Sequence, residues 1–330
     1  MSPYSPPYSI NDAMLAYVSS ISETVGEISI QNKFKTRPHL RKNNTIKSVY
    51  ASLKIEANSM SLNQVRDVID GHLVLGNEKE IQEVKNAYAA YADLNSIDPY
   101  SIESIKRVHS VVTRNTVNQS GEFRTGEEGV FNGDICIFMA PPARLVPQLM
   151  DDLFQWMKNS QNVVHPLILS CVFHYEFVFI HPFTDGNGRM ARLWHTAILA
   201  KWKPLFQYVP LESQIELFQE DYYAAIAMCH TVGSSNYFIE FMLKQIDSVL
   251  RNILNTDNDS SEILSEYVER MLSVMDYDVP YTPKTLMKQL NLKSRETFRI
   301  HYLSPALKLG LVTMTIPDKP KSKNQRYVKR

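Results

Sequence analysis

The chain has 330 residues, zero formal net charge, 44% hydrophobic and 21% charged residues, which is ordinary for a globular protein and enough for one large core plus a smaller unit. The three cysteines, Cys136, Cys171 and Cys229, lie too far apart for a disulfide framework or a metal-ligand pair, so they read as buried thiols in a reducing compartment. The most apolar stretch, Val163 to Ile180, contains His165, His174 and Glu176 and reads as a core helix, and the opening MSPYSPPYS lacks a secretory pattern. The expectation is a cytoplasmic protein with no membrane association.

In chain order, the proline-rich opening is expected to be extended and weakly ordered. Helical periodicity then covers Asp12 to Ile30, Thr45 to Ala57 and Ser61 to Gly71. It resumes over Glu78 to Leu94, where Ile81, Val84, Ala87, Tyr88 and Tyr91 share a face, and from Ser101 to about Arg114. Gly121 to Pro142 differs: Asn132–Gly133 and the run from Asp134 to Met139, ended by two prolines, predict a hairpin. Further helices are predicted at Val146–Met157, Pro166–Phe179, Gly188–Ala200, Ile215–His230 and Asn236–Leu254. A polar linker follows at Asn255–Ser261. Beyond it, Thr282–Leu290 and Ser294–Leu303 read as helices and Leu311–Val328 as a strand pair. From Lys284 to Arg330 there are twelve Lys/Arg against two acids, so an anionic partner belongs at this end.

Chemistry concentrates in HPFTDGNGRMAR, His181 to Arg192. Gly186-Asn-Gly-Arg189 follows an apolar helix and opens another, so N–H groups converge there without Cβ obstruction at a helix start, a site for an anion. Arg189 and Arg192 are three residues apart on one helical face and suit a polyphosphate. Asp185 is a candidate Mg²⁺ ligand, and His181 a candidate base because imidazole titrates near neutrality.

This stretch resembles the Fic family signature, His-Pro-Phe-x-Asp/Glu-Gly-Asn-Gly-Arg-x-x-Arg, and matches every fixed position. The resemblance runs from about Thr45 to Leu243, including APPARLVPQLM and DYYAAIAMCH, and KLGLVTMTIPDKP resembles an appended winged-helix domain. It implies a mainly α fold: a Fic-type helical core with a β-hairpin flap, plus a small C-terminal winged-helix (α+β) domain. The implied boundaries are an N-terminal extension at 1–44, a Fic domain at 45–254, a linker at 255–261 and the winged helix at 262–330. Within the Fic domain lie an inhibitory helix at about 45–58 and a flap at about 133–141.

The implied activity is protein adenylyltransfer, moving AMP from Mg-ATP to a Ser, Thr or Tyr hydroxyl of a target protein or of the chain itself. His181 would be the base, Asp185 the Mg²⁺ ligand, and the N–H groups of Gly186, Asn187 and Gly188, with the Asn187 side chain, the anion hole. Arg189 and Arg192 would meet the β- and γ-phosphates. Tyr223 matches a position near the adenine in relatives, with core packing as the other reading; His230 stands where relatives often carry Asn. The flap would align a target segment by strand addition.

Ser52-Leu-Lys-Ile-Glu56-Ala-Asn58 resembles the family's inhibitory motif, with Ala57 at its Gly/Asn position and Asn58 one residue later. The resemblance implies that Glu56 pairs with Arg192 and misaligns ATP, or activates water for removal of AMP. Open alternatives are another Fic-type transfer, of phosphate or phosphocholine, and a DNA-binding regulator using Lys293, Arg295 and Arg299 on a recognition helix. A homodimer is implied by the resemblance alone.

Overall fold

In a computed structural model the chain forms two compact units, Met1–Leu254 and Asn255–Arg330. The structure describes residues 4–31, 34, 38–132, 135–255, 266–277, 279–308, 310–320 and 322–329. The fold is mainly α, with a small C-terminal α+β unit.

The first unit is built around two helices, α7 (Pro166–Ile180) and α8 (Asn187–Trp202), joined by the short segment 181–186. Both are buried nearly all round, α7 through Phe173 and Phe177 and α8 through Met190, Leu193 and Trp194. A helix apolar on every face must sit inside a layer of others. That layer begins with α1 (Asp12–Ile30), α2 (Pro38–Ile55), α3 (Leu62–Ile69), α4 (Glu78–Ala92) and α5 (Ile102–Val112). It continues with α6 (Val146–Ser160), α9 (Leu211–Leu217), α10 (Gln219–Val232) and α11 (Asn236–Asn255). Helix α2 lies against α4, α8 and α9, which brings its C-terminus to the N-terminus of α8.

Strands β1 (Gly129–Asn132) and β2 (Ile135–Met139) form the expected hairpin, antiparallel with a register shift between Val130 and Phe131. The hairpin starts before the expected flap boundary, at Gly129, and Gly133 and Asp134 of that expectation lie outside the described residues.

Several elements differ from the sequence reading. The opening segment is extended but docked rather than weakly ordered. The Tyr4 hydroxyl donates to buried Glu176 (2.8 Å), the Ser235 N–H donates to the Pro7 carbonyl (3.0 Å), and Tyr8 sets its edge on Trp156. Those partners are more than a hundred residues away, beyond the reach of local patterning. Helix α2 starts at Pro38, where proline's fixed φ suits a first helical position. The predicted helix Ile215–His230 is broken at Phe218, whose backbone (φ −114°, ψ 37°) closes α9 and opens α10. Apart from Asn255, which ends α11, the expected linker lies outside the described residues.

The second unit contains α12 (Glu266–Ser273), α13 (Pro283–Gln289) and a third helical stretch. That stretch runs as α14 (Arg295–Thr297), a π-helical segment (Phe298–Leu303) and α15 (Ser304–Lys308), extending the predicted helix by five residues. The strand pair is shorter than expected, with β3 (Val312–Met314) antiparallel to β4 (Tyr327–Lys329). Val268, Met271, Leu286, Phe298, Tyr302 and Ala306 form a core of their own. Among the described residues no helix is long and apolar enough to cross a membrane.

Candidate active site

The site forms where α7 ends and α8 begins. His181 closes α7 in the left-handed conformation (φ 51°, ψ 58°), its N–H bonded to the Phe177 carbonyl at 3.0 Å. A non-glycine residue in that region is uncommon and costs energy, so neighbours must hold it. Arg124 is one such neighbour. This buried guanidinium donates to the carbonyls of His181 (2.7 Å), Gly126 (2.9 Å) and Pro141 (2.5 Å), and so ties the end of α7 to the segment on either side of the hairpin.

The loop between the helices is fixed from two sides. Asn187 takes the Phe183 N–H on Oδ1 (2.9 Å) and donates Nδ2 to the Phe183 carbonyl (2.7 Å). Each end of its amide engages the loop, so the side chain staples it, while the second N–H of Nδ2 remains a donor for the expected anion hole. His109, fully buried on α5, accepts the Gly121 N–H on Nδ1 (2.8 Å). Its Nε2 must then carry the proton and donate to the Asp185 carbonyl at 3.0 Å. Burial drives the His109 pKa down to about 4, so the ring is neutral. It stacks on Phe183 with centroids 3.7 Å apart.

Gly186 caps α8 with φ +81°, a conformation that favours glycine, and a Cβ there would meet Thr113 Cγ2 at 3.1 Å. Among the described residues, the N–H groups of Asn187, Gly188 and Arg189 donate to nothing in the protein. They are the open donors of a 16-residue helix and form an anion site.

A carboxylate already faces that site. A Cβ on Gly188 would lie 2.2 Å from Glu56 Oε1, so glycine is required for Glu56 to rest there. Glu56 Oε1 also accepts from Arg192 at 2.8 Å, and the same guanidinium donates to the Ser52 carbonyl (2.9 Å) and hydroxyl (3.3 Å). The Arg192 side chain is 1% exposed and that of Glu56 38%. Burial opposes the charge on Arg192, but Glu56, together with Tyr222 and Tyr91, outweighs it and holds the pKa above the usual arginine value. Arg189 donates to Asp185 Oδ1 at 3.2 Å and faces Glu83 Oε1 on α4 at 3.6 Å.

Glu56 is held by the end of α2. Ala57 N–H meets the Lys54 carbonyl and Asn58 N–H the Leu53 carbonyl, a paired C-terminal cap with Ala57 in the left-handed conformation, φ 63°. This accounts for the glycine or asparagine expected at Ala57: both adopt positive φ more readily than alanine does. Asn58 is turned away from Arg192, and its Nδ2 donates to Glu83 Oε2 at 3.0 Å.

His181 is partly buried, and desolvation lowers its pKa, against a raising influence from the Val178 carbonyl, Glu56 and Asp185. Its Nδ1 is buried without a regular hydrogen bond, although the Val178 carbonyl lies close enough to favour the protonated ring. A neutral imidazole within electrostatic reach of Glu56 and Asp185 is the form a proton acceptor needs. The Asp185 side chain is 43% exposed. Its Oδ1 is engaged by Arg189 and by the Gly186 N–H, and Oδ2 has no donor among the described residues.

The structure thus brings together Ser52, Glu56, Asp185 to Gly188, Arg189 and Arg192, with His181 at the same turn. Tyr223 is 47% exposed. It lines an open groove of about 550 Å³ with Phe218 and Gln219, and its hydroxyl feels both Glu56 and Arg192, at the mouth of the site rather than in the core. His230 lies elsewhere: it stacks on Phe138 of β2 (4.2 Å) and meets the Tyr175 hydroxyl (3.0 Å). His109, Arg124 and Glu83 escaped the sequence reading. A lone basic residue in a loop and single polar residues on amphipathic helices carry no pattern of their own.

Residues 99–199 match the Fic/DOC family, and residues 266–328 match the C-terminal domain of the Fic-like proteins described as filamentation induced by cAMP protein Fic-like. The crystal structure of a Fic family protein from Desulfovibrio desulfuricans G20 superposes with a TM-score of 0.75 at 41% identity, over 99% of this chain and 98% of that one. Fic-1 (residues 134–508) of Caenorhabditis elegans superposes with a TM-score of 0.63 at 23% identity, over 75% of this chain and 73% of that one, and shares the fold. The curated Protein adenylyltransferase fic-1 of C. elegans is 27% identical over 226 residues, 65% of this chain. This chain spans only 42% of that relative's length.

Proposed function

The chain belongs to the Fic family, and from that premise we propose that it transfers AMP from ATP to a hydroxyl side chain of a protein, under restraint by its own Glu56. One observation carries the reading. Open N–H groups of α8 and two buried guanidiniums converge beside a neutral imidazole, and carboxylates now hold the guanidiniums as a polyphosphate would.

In the reaction, His181 takes the proton of an incoming Ser, Thr or Tyr hydroxyl. The hydroxyl oxygen bonds to the α-phosphorus, the bond from that phosphorus to the bridging oxygen breaks, and pyrophosphate leaves with the electron pair. Catalysis of this kind rests on positioning and charge neutralisation. The α8 N–H groups hold the phosphate oxygens, Arg189 the β-phosphate side and Arg192 the γ-phosphate, with Tyr223 at the adenine end. Asp185 suits Mg²⁺, because its outward carboxylate oxygen can join substrate phosphates around the ion, and no group of three metal-binding side chains occurs among the described residues to cage an ion without them. That ion would neutralise charge between the phosphates.

Glu56 competes directly for Arg192, so ATP that binds beside it meets an incomplete cradle. Cys171 and Cys229, buried and free, suit a reducing cytoplasm. The test is incubation of the full chain, Glu56→Gly and Glu56→Gly/His181→Ala with α-labelled ATP. Strong self-labelling of Glu56→Gly with an AMP-sized mass is expected, together with loss of the label in the double variant. An unlabelled Glu56→Gly protein, or a label that survives without His181, sinks the reading. An adduct of another mass favours a different group transfer. Faster loss of AMP from a labelled protein in wild type than in Glu56→Gly favours the reverse reaction.

A second reading has its own observation. In the C-terminal unit, which we read as a winged helix, Lys284, Lys288, Arg295, Lys323 and Arg326 line one groove of about 640 Å³ with no acidic residue in its lining. Of the recognition-helix residues expected to meet DNA, only Arg295 lines it. Duplex DNA binding that weakens steeply with salt would favour this reading; no binding at low salt would remove it.

A further inference from the structure

The turn that carries Glu56 reaches both arginines of the motif, and it reaches the second through a residue outside the motif. Glu56 meets Arg192 directly at 2.8 Å. Two residues later, Asn58 is buried and donates Nδ2 to Glu83 Oε2 at 3.0 Å, while the other oxygen of Glu83 faces Arg189 at 3.6 Å. The Glu83 side chain is 15% exposed and that of Arg189 7%, so water screens this pair weakly. Asn58 Oδ1 in turn accepts the Met60 N–H (3.1 Å), and Ser59 donates its N–H and hydroxyl to Glu80, one helical turn before Glu83 on α4. The turn is therefore fastened to the same face of α4 that holds Arg189.

We propose that Glu83 is a second restraint on the nucleotide site, a positioning residue that ties the Glu56 turn to Arg189 and competes with the triphosphate for that guanidinium. The inference rests on the reading of Arg189 as a phosphate contact. Arg189 is already shared between Asp185 and Glu83. A triphosphate arriving there must displace Glu83 and then tolerate its charge at close range in a poorly solvated site. Glu83 thus opposes ATP twice, by occupying Arg189 and by repelling what replaces it. Through Asn58 it also steadies the turn that presents Glu56. One helix, α4, then sets the resting state of both arginines, although neither Glu83 nor Asn58 touches the reacting atoms.

The test uses Glu83→Gln, which keeps the shape and the acceptor for Asn58 but removes the charge. In the Glu56→Gly background the KM for ATP in self-labelling should fall about three- to tenfold, in the range of coupled charge pairs. In the wild-type background the same substitution should raise labelling. A mere structural defect would instead raise KM or lower kcat, so an unchanged or higher KM overturns the proposal. Calorimetric titration of the same proteins with Mg·ATP separates this question from the chemistry. If Glu56→Gly labels nothing, AMP transfer fails as a reading, yet tighter ATP binding by Glu83→Gln still supports the restraint and unchanged binding still overturns it. If Glu83→Gln does not fold, Asn58→Ala decides. Wild-type labelling should rise as the tie between the turn and Glu83 is lost, and unchanged labelling overturns the proposal.

Discussion

The loop from His181 to Arg192 and the turn from Ser52 to Met60 face one anion site, and they are held there by different means. In the loop, the constraints point inward: Asn187 closes on the Phe183 backbone, His109 on the Asp185 carbonyl, and Arg124 on the His181 carbonyl. All three side chains are buried, and none of these contacts needs to break when a phosphate arrives. In the turn, the decisive contact points outward into the site. Glu56 is partly exposed, sits just before an alanine in the left-handed conformation, and holds a guanidinium that the ligand also wants. A permanent scaffold is built from satisfied buried groups, and a reversible restraint from an ion pair that solvent can reach. The same fold supplies both within a few ångströms.

Breaking the scaffold should have the largest effect. Asn187→Ala strands the N–H and carbonyl of Phe183 in the interior, at a cost of about 2–4 kcal/mol. Melting should fall by roughly 5–15 °C and labelling should be lost even with Glu56 replaced by Gly. Near-normal melting with retained labelling would show that the loop holds itself and that the contrast with the turn is overstated.

Acid should act on the scaffold next. His109 is neutral in the fold with its pKa lowered from 6.5 to about 4, so the unfolded chain binds its proton first. The stabilisation is therefore complete above pH 6.5 and is lost as pH falls through 6.5 toward 4, at up to about 1.4 kcal/mol per pH unit. Buried His195, also lowered to about 4, acts with the same sign. Thermal melts between pH 7 and 4.5 should show the decline, and His109→Gln should make it shallower. An equal slope in that variant would place the acid sensitivity outside the loop.

The smallest change sharpens the turn. Ala57→Gly removes the strain of a side chain at φ 63° and should stabilise the cap by about 1 kcal/mol, raising melting by ~2–4 °C. Held more firmly, Glu56 should lower basal labelling by up to about fivefold. Increased labelling in Ala57→Gly would mean that the cap does not present Glu56 as described.

Much of this was legible beforehand because it is local. The twelve residues His181 to Arg192 carry helix end, glycine turn, helix start and two same-face arginines in one uninterrupted run, and the periodicity of α4, α6, α7 and α11 lies in consecutive residues. Ser52 and Glu56 were found through a resemblance, and their pairing with Arg192 spans more than 130 positions. The stapling role of Asn187 was not legible, for a physical reason. Spacing puts the residue at the helix start, but its amide can turn toward a ligand or back to the loop, and only the position of the Phe183 backbone decides between them. The docked N-terminal segment was missed for the same reason: a proline-rich run looks unstructured until a buried Glu176 offers Tyr4 a partner.

By itself, the order of residues determined the helical class, the hairpin, the motif and the side chains able to meet a polyphosphate, since these follow from backbone preference and short-range spacing. Tertiary structure decided which charges meet. His109, Arg124 and Glu83 come from separate segments, and they acquire roles only when packing removes water and brings distant polar groups within reach as their partners.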